Sequence, residues 1–342
     1  MVQVFQFLFL LILSIYPQGF HRSNNIFYPQ YLLNSNRGSV FDAGKDACST
    51  RWRINFLGAS YVRMDTKFVC YQMVCHILKA TKETVHLGGF SHLLLPALQV
   101  DSGDVVEVET YSGFYVYDKA PPSFLTPEFL DICENLAPER RVEKGPHLLT
   151  GPIYVTGAEP GDVLEVELQS ISPRLPVGFN AIRSGWGALP QKFTQPALRF
   201  IDLDLDNNVA EFPKGSGIKI PITPFFGILG VATHDEHRSS IPPGYYGGNI
   251  DNRELQAGAR IFLPVFVPGA LFSIGDGHSA QGDGEVNLTA IETSMNGTIK
   301  LKVRKDLHLK APIADTPTDI ITMGFGNTLD EALENAVSNM ID

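Results

Sequence analysis

The sequence predicts a mainly β fold, and three features of the chain favour it. Its 342 residues include 31 glycines and 23 prolines, which divide the chain with frequent turns. Between the turns, short segments alternate apolar and polar side chains, the period typical of β-strands. A third feature is an internal echo: the phrase SGDVVEVET at Ser102–Thr110 returns as PGDVLEVEL at Pro160–Leu168. Each copy predicts a turn followed by a strand whose alternate glutamates face solvent.

Composition limits the class of protein. The chain is 44% hydrophobic and 19% charged, so it can bury a sizeable core as one large β domain or as two to three smaller ones. The formal net charge is −10 and the sequence pI is about 5.4. A nucleic-acid-binding surface would instead show a basic face, so we expect no nucleic-acid partner.

The first 75 residues lack clear periodicity and are interpreted as an amino-terminal extension, with the orderly domain at 76–342. The apolar run Val4–Tyr16 is too short to span a bilayer but has the length of a signal-peptide core, which places a signal-like segment at 1–19. No lysine or arginine precedes Arg22, and a signal peptide normally carries one, so a misassigned gene start is the alternative. We expect a cytoplasmic protein, or a secreted one if 1–19 is a signal peptide.

The four cysteines are Cys48, Cys70, Cys75 and Cys133. None forms a C-x-x-C pair, which argues against a cysteine zinc site. Cys70 and Cys75 could pair in an oxidising compartment, whereas buried free thiols are the default expectation.

The middle of the chain carries the remaining predicted elements. The segment Tyr117–Arg141 is interpreted as an insert with a helix at Pro127–Leu136, and Val177–Trp186 as a loop over a pocket. The dipeptide Asn296-Gly297 is the strongest hairpin-turn signal in the chain. Further strands are predicted at Phe200–Leu205, Ile218–Ile222, Val286–Thr293, Thr298–Arg304 and Ile320–Gly324, and Phe225–Ala232 is an apolar run.

A helix is predicted from Thr328, where Thr328 and Glu331 have the spacing of a capping box. The residues that follow form one apolar stripe at helical spacing: Leu329, Ala332, Leu333, Ala336, Val337, Met340 and Ile341. So strong an apolar face this near to the last residue predicts that the domain is truncated at its carboxyl end.

The segment that suggests chemistry is Leu263–Glu285. An apolar run there gives way to Asp276-Gly277-His278, and a glycine-rich stretch with Gln281, Asp283 and Glu285 follows. A carboxylate and an imidazole two residues apart project to the same side of a strand, and at a strand end they suit a metal site or an acid–base site. The alternative is a polar hairpin loop, since glycine, aspartate and serine are ordinary turn residues.

Two other polar segments could contribute. The stretch Pro243–Asp251 carries Asn249 and Asp251, which could lie around one cavity with Asp276 and His278. The cluster His234–His237 could hold a metal, or it is a solvated loop bounded by prolines.

The chain lacks a G-x-S-x-G elbow, a P-loop, a dinucleotide fingerprint and an H-E-x-x-H motif. The four cysteines have no catalytic context. What remains is a set of carboxylates, imidazoles and amides, which can hold a divalent cation that activates water.

From about His76 to Asp342, roughly three quarters of its length, the chain resembles the acetamidase/formamidase family. The phrases that carry the resemblance are TVHLGGF at Thr84–Phe90, TGPIYVTGAEPGD at Thr150–Asp162, GGNID at Gly247–Asp251, and LPVFVPGALFSIGDGHSAQGDGE at Leu263–Glu285. The resemblance implies a jelly-roll-like β-sandwich with a smaller β-barrel part and a C-terminal α/β portion. It also implies hydrolysis of small primary amides such as formamide and acetamide to a carboxylate and ammonia, by water activated at a metal, usually zinc. The expected partners are the amide substrate and a second copy in a dimer, with no stable membrane insertion.

Matched to these phrases, the implied metal ligands are Asp251, Asp276 and His278, with His86 as a possible fourth. Each has a structural alternative, which for His86 is a histidine satisfied in the core.

The implied catalytic groups are Glu285 as the base and Asn249 as the residue that steadies the amide or the oxyanion, with His147 and Glu159 next in line. The alternatives are a core or loop histidine for His147, a turn asparagine for Asn249 and a purely structural role for Glu159.

The chain departs from the family pattern at His147, which is followed by Leu148 where the family usually has proline. Residues 1–75 match nothing in the family, and the family continues beyond the final helix. Two alternative functions remain: a non-catalytic β-sandwich binding protein derived from the family, and an amidase for a larger amide. In the second, Tyr117–Arg141 and Val177–Trp186 would shape the pocket.

Overall fold

A computed structural model describes residues 7–11, 74–142 and 144–341, all of which belong to one compact unit. Outside the described residues lie most of the predicted extension 1–75 and of the signal-like segment 1–19, together with Cys48 and Cys70, so the possible pairing of Cys70 with Cys75 also lies outside them. Of the two described cysteines, Cys133 is buried, as expected for a free thiol, and Cys75 is exposed.

The described elements are 21 strands and two α-helices, with two short 3₁₀ turns. The first half contains β1 Phe7–Leu11, β2 Cys75–Leu78, β3 Val85–Leu87, β4 Gly89–Phe90, β5 Leu98–Asp101, β6 Val105–Glu109, α1 Pro127–Asn135, β7 Leu148–Thr156, β8 Val163–Pro173, β9 Val177–Ile182, β10 Ala197–Asp204, β11 Val209–Glu211 and β12 Lys219–Pro221. The second half contains β13 Phe225–Val231, β14 Arg238–Ser239, β15 Gly247–Asn249, β16 Arg260–Pro264, β17 Phe272–Ala280, β18 Ile291–Glu292, β19 Met295–Arg304, β20 Ile313–Asp315, β21 Ile320–Gly326 and α2 Leu329–Ile341.

Two large sheets dominate the fold. The first has eight strands in the order β1-β21-β20-β16-β8-β19-β6-β2, and the second places β12-β11-β10-β9-β18-β17-β13-β15 along its path, with β7 joined to β17, β3 and β5. The main core contains buried side chains from both sheets, for example Val166 and Leu301 from the first and Ile228 and Phe272 from the second. The prediction of a mainly β protein with a small helical part at the carboxyl end is confirmed.

The two echoed phrases form equivalent strands. β6 and β8 pair with opposite edges of β19, so the repeated turn-and-strand pattern flanks one central strand. The prediction that their glutamates face solvent is right for Glu107 and wrong for Glu165, which is buried. Arg304 lies 2.8 Å and Arg260 3.3 Å from the Glu165 carboxylate, and these two guanidinium groups stabilise its burial.

The polar part of Leu263–Glu285 is not a strand end. β17 continues through Asp276 and His278 as far as Ala280, and all nine of its residues are buried. It lies between β13, β7 and β18, so both polar side chains are held inside the second sheet. The interpretation as a polar hairpin loop is therefore wrong.

The hairpin predicted at Asn296-Gly297 is also absent, because both residues belong to β19 and pair with β6 and β8. A Cβ atom on Gly297 would lie 2.8 Å from the ring of Phe226, so glycine is needed there for close packing rather than for a turn. Of the strand predicted at Val286–Thr293, only Ile291–Glu292 forms.

Other predictions hold with adjusted limits. Helix α1 begins after Thr126, whose Oγ1 accepts a hydrogen bond of 3.1 Å from the Phe129 amide. The segment predicted as a loop at Val177–Trp186 is strand β9 over its first six residues. Strands β10, β12 and β21 lie where strands were predicted, and β13 forms from the apolar run at Phe225–Ala232.

Helix α2 begins as its sequence predicts. Thr328 Oγ1 accepts from the Glu331 amide at 3.2 Å, and Glu331 Oε2 accepts from the Asn327 amide at 2.8 Å. The predicted apolar face is less buried than expected, since Ala332 and Ala336 are its buried residues. Within the described ranges, no helix is long and apolar enough to cross a membrane.

Candidate active site

The candidate site is built where β13, β15, β17 and β18 meet in the second sheet. Strand β17 supplies Asp276 and His278, and Asp251 follows β15 after one residue. Glu292 ends the two-residue strand β18, directly opposite His278 in the β17–β18 register. Glu285 comes from the loop between β17 and β18.

His278 is the centre of this group and is fully buried. Its Nε2 atom lies 3.5 Å from Asp276 Oδ2, 3.7 Å from Glu285 Oε1 and 3.3 Å from Glu292 Oε2. Three carboxylates therefore surround one imidazole nitrogen.

Gly227 in β13 shows how closely the fourth carboxylate approaches. A Cβ atom on Gly227 would lie 2.6 Å from Asp251 Oδ1, 2.9 Å from His278 Cε1 and 3.0 Å from Asp276 Oδ2. These three atoms occupy the space where a side chain at position 227 would lie, so only glycine fits there. Asp251 itself has a φ of 47°, in the left-handed region, which turns the chain at this point.

The cluster contains the donor atoms of a metal site. Candidate ligand atoms of Asp251, Asp276 and His278 lie within 4.8 Å of one another, as do those of His278, Glu285 and Glu292. Asp251 Oδ1, His278 Nε2 and Glu285 Oε1 are buried without a hydrogen-bond partner. Buried polar atoms without partners are costly, and a divalent cation bound by Asp251, Asp276 and His278 would provide a partner for Asp251 Oδ1 and His278 Nε2. One imidazole with carboxylate oxygens is a donor set that suits zinc and related metals.

The electrostatics of the cluster agree with this view. Burial raises the pKa of Asp251 to about 8, and burial together with the neighbouring Asp251 raises the pKa of Glu285 well above its ordinary value. Burial also opposes ionisation of Asp276, but His147 and His278 outweigh it and hold the Asp276 pKa below its ordinary value. Burial alone would lower the pKa of His278, yet Glu292 and Asp276 raise it well above 6.5. So many carboxylates around one imidazole need a positive charge, either a proton or a metal ion.

His147 lies at the edge of the same group. Its Nε2 atom is 3.9 Å from Asp276 Oδ2, and its Nδ1 atom is 2.9 Å from the buried Ser240 hydroxyl. It also lines a cavity of about 10 Å³, room for one water molecule, together with Tyr115, Phe179, Asp276 and other residues. Asp276 and Glu292 therefore border a space that one water molecule can occupy.

Asn249 ends β15, two residues before Asp251, and its Oδ1 atom is buried without a hydrogen-bond partner. Asn249 Oδ1 is thus an unused hydrogen-bond acceptor, two residues before Asp251 of the cluster.

His86 and Glu159 have other surroundings. The Nε2 atom of His86 lies 2.9 Å from the Ser273 hydroxyl, and burial and the nearby Arg140 lower its pKa to about 3. Glu159 is exposed in the turn before β8, where its amide donates to Asp162 Oδ2 at 3.0 Å. Neither residue belongs to the two ligand groups found in the described part of the chain.

The cluster His234–His237 is exposed, and Asp235 within it is paired with Arg238. It is also absent from those ligand groups, and the structure favours the interpretation as a solvated loop.

Sequence analysis missed two residues of the site, Glu292 and Gly227. Glu292 reaches His278 only because β18 pairs with β17, and a two-residue strand has no detectable periodicity. Gly227 lies inside the apolar run Phe225–Ala232, and an isolated glycine in such a run is a sequence signal of close backbone approach.

Comparison with known proteins settles the family. The sequence profile of the Acetamidase/Formamidase family matches residues 140–240 and 232–318, together about half of the chain. The chain belongs to this family. The resemblance found in the sequence is thereby confirmed, and the matched ranges include Asp251, Asp276, His278, Glu285 and Glu292.

Individual members of the acetamidase/formamidase family agree. An acetamidase of Mycolicibacterium smegmatis is 29% identical in an alignment that covers 48% of this chain and 55% of that protein. A formamidase of Methylophilus methylotrophus is 28% identical in an alignment that covers 54% of this chain and 61% of that protein. The crystal structure of an acetamidase from Bacillus halodurans superimposes with a TM-score of 0.65 at 29% identity, covering 77% of this chain and 82% of that one. The chain spans somewhat more than half the length of the curated relatives it matches.

Proposed function

We propose that this family member is an amidohydrolase that cleaves the C–N bond of a small primary amide, such as formamide or acetamide, to a carboxylate and ammonia. The observation that carries the proposal is the convergence of the Asp276, Glu285 and Glu292 carboxylates on His278 Nε2, a buried atom without a hydrogen-bond partner. The names of the relatives, acetamidase and formamidase, support the choice of substrate.

A divalent cation, with zinc as the preferred candidate, fits this donor set. Asp251, Asp276 and His278 would hold it, and Glu292, at 3.3 Å from His278 Nε2, lies close enough to complete the set. When bound, such a cation lowers the pKa of water and polarises the carbonyl oxygen of an amide.

Glu285 is proposed as the group that moves the proton. Its Oε1 atom lies 3.7 Å from His278 Nε2, and burial raises its pKa well above the ordinary value of 4.5. A carboxylate with a raised pKa is a competent base near neutral pH, so Glu285 can take a proton from the attacking water. The same carboxyl group then delivers that proton to the departing nitrogen, which leaves as ammonia.

Asn249 and His147 are proposed to orient the substrate and the cluster. The unused Oδ1 acceptor of Asn249 can receive an N–H of the substrate amide. His147, fixed by Ser240, places its Nε2 atom beside Asp276 Oδ2 at the wall of the cavity. The His147 imidazole at this position favours the ionised form of Asp276.

The walls of the cavity favour a small substrate. Tyr115, Phe179 and Leu148 line it with bulky side chains, and its volume of about 10 Å³ is room for one water molecule. Even formamide would require these side chains to move apart, and a larger amide would require a larger movement, so we rank that alternative second.

The test is ammonia release from formamide and acetamide by the purified chain, as prepared, after treatment with a chelator, and after zinc is restored. We expect release that the chelator abolishes and zinc recovers. Release that survives chelation would contradict the metal, whereas a folded, zinc-loaded chain that releases no ammonia would favour the non-catalytic binding protein.

A further inference from the structure

Gln281 is the residue that connects the two halves of the candidate metal cluster. It directly follows β17, and its side chain contacts both His278 and Asp251. Its Oε1 atom lies 2.8 Å from His278 Nδ1, and its Nε2 atom donates to the backbone carbonyl of Asp251 at 2.7 Å. None of the roles proposed above for the site involves the side-chain amide of Gln281.

The hydrogen bond from Gln281 to the Asp251 carbonyl determines which atom donates in the hydrogen bond between Gln281 and His278. A backbone carbonyl oxygen can only accept, so the amide –NH₂ of Gln281 has to face Asp251. The carbonyl oxygen of Gln281 then has to face His278, and because that oxygen is also only an acceptor, Nδ1 of His278 carries a hydrogen.

The hydrogen on Nδ1 determines which nitrogen of His278 is available to a cation. With Nδ1 protonated and hydrogen-bonded, Nε2 is the nitrogen that faces Asp276, Glu285 and Glu292. It is also the nitrogen left without a hydrogen-bond partner. A histidine held in this way offers a single, correctly aimed nitrogen to a cation.

The side chain of Gln281 also restrains the backbone of Asp251. Its φ of 47° is a conformation that residues other than glycine seldom adopt, and the hydrogen bond from Gln281 to its carbonyl group restrains that turn. The turn aims Asp251 Oδ1 at the space beside Gly227 and His278.

We propose that Gln281 is a positioning residue that fixes the Nδ1–H form of His278 and the turn at Asp251, so that one imidazole nitrogen and one carboxylate are presented together to a divalent cation. This inference rests on the proposed metal-dependent function, but its first consequence, a hydrogen-bonded Nδ1–H on His278, needs no metal.

The experiment compares the wild type with three variants of the full chain, labelled with ¹⁵N-histidine. Gln281→Leu removes both contacts, and Gln281→Glu keeps an acceptor for His278 but cannot donate to Asp251. Gln256→Leu is the matched control, because Gln256 donates one hydrogen bond, to the Arg253 carbonyl at 3.0 Å, and contacts neither residue. The Nδ1–H signal of His278 is followed by NMR in the metal-free protein, and zinc affinity and Tm are measured on the same samples.

In the wild type, we expect a His278 Nδ1–H signal that exchanges slowly with solvent. It should be lost in Gln281→Leu and retained in Gln281→Glu. Zinc affinity should fall about 10- to 100-fold in Gln281→Leu, the range typical of partners that orient metal ligands, and stay at the wild-type level in the control.

Two results would overturn the proposal: an unchanged Nδ1–H signal in Gln281→Leu, or a zinc affinity within about twofold of the wild type. A variant whose Tm falls while both readouts stay unchanged would show that Gln281 is merely structural. If the wild type binds no zinc but its Nδ1–H signal depends on Gln281, the proposed metal dependence is wrong, whereas the proposed positioning of His278 by Gln281 is confirmed.

Discussion

His278 Nε2 lies 3.3 Å from Glu292 Oε2, across the short pairing of β17 with β18. The other carboxylate oxygen of Glu292 accepts a hydrogen bond from the Ala290 amide at 2.9 Å. One oxygen thus anchors the side chain to the backbone while the other faces the imidazole, which makes Glu292 a fixed member of the cluster.

The first prediction concerns that carboxylate. Glu292→Gln keeps an oxygen that can accept from Ala290 but loses the negative charge beside His278, so zinc affinity should fall at least tenfold. Isothermal titration with zinc measures it. Glu107→Gln, on an exposed strand position, is the control and should bind as the wild type does. Equal affinities for both variants would remove Glu292 from the site.

The second prediction concerns the space at Gly227. In Gly227→Ala the added Cβ atom would lie 2.6 Å from Asp251 Oδ1, so the carboxylate has to move away from His278. We expect zinc affinity and amide hydrolysis to fall more than tenfold. The matched control is Gly282→Ala, where the nearest atom to the new Cβ would be 3.7 Å away. Wild-type zinc binding by Gly227→Ala would mean that these atoms do not form the site.

The third prediction separates proton transfer from metal binding. Glu285→Gln should retain zinc through Asp251, Asp276 and His278 while kcat for amide hydrolysis falls about 10²- to 10⁴-fold, the usual contribution of an acid–base group. The measurement is steady-state kinetics on samples of known zinc content. A normal kcat at full zinc occupancy would rule out Glu285 as the base.

The fourth prediction concerns stability rather than activity. His86 is fully buried, and burial and Arg140 lower its pKa from 6.5 to about 3. Below pH 6.5 the unfolded chain therefore binds a proton that the folded chain refuses. The free energy of unfolding should fall as the pH is lowered from about 6.5 towards 3, by up to about 1.4 kcal/mol per pH unit from this group. Above pH 6.5 the residue contributes no pH dependence.

Urea unfolding at several pH values checks this, with His86→Gln compared with the wild type. The difference in unfolding free energy between the two should change with pH only below about 6.5. His308→Gln, an exposed position, serves as the control and should parallel the wild type throughout. A pH-independent difference for His86→Gln would show that His86 titrates alike in both states.

Several features followed from the sequence because their causes are local. The period of two in Val105–Glu109 and Val163–Pro173 is set by residues that are neighbours in the chain, and both strands form as predicted. The same holds for the first turns of α1 and α2, where Thr126 and Thr328 accept from amides three residues later. The family phrase at Leu263–Glu285 also carried its two central residues, Asp276 and His278.

The tertiary structure decided the remaining features, because those features depend on pairing between segments that are distant in the sequence. Glu165 is buried because Arg260 and Arg304 lie across neighbouring strands, and Gly297 is needed because the Phe226 ring packs on it. Glu292 faces His278 only in the register that β17 and β18 adopt. A local pattern specifies which residues share a face of a strand, but the register between strands places particular side chains opposite each other. The sequence by itself therefore determined strands such as β6 and β8, the helix starts and the family, whereas the fold assembled four carboxylates around one imidazole.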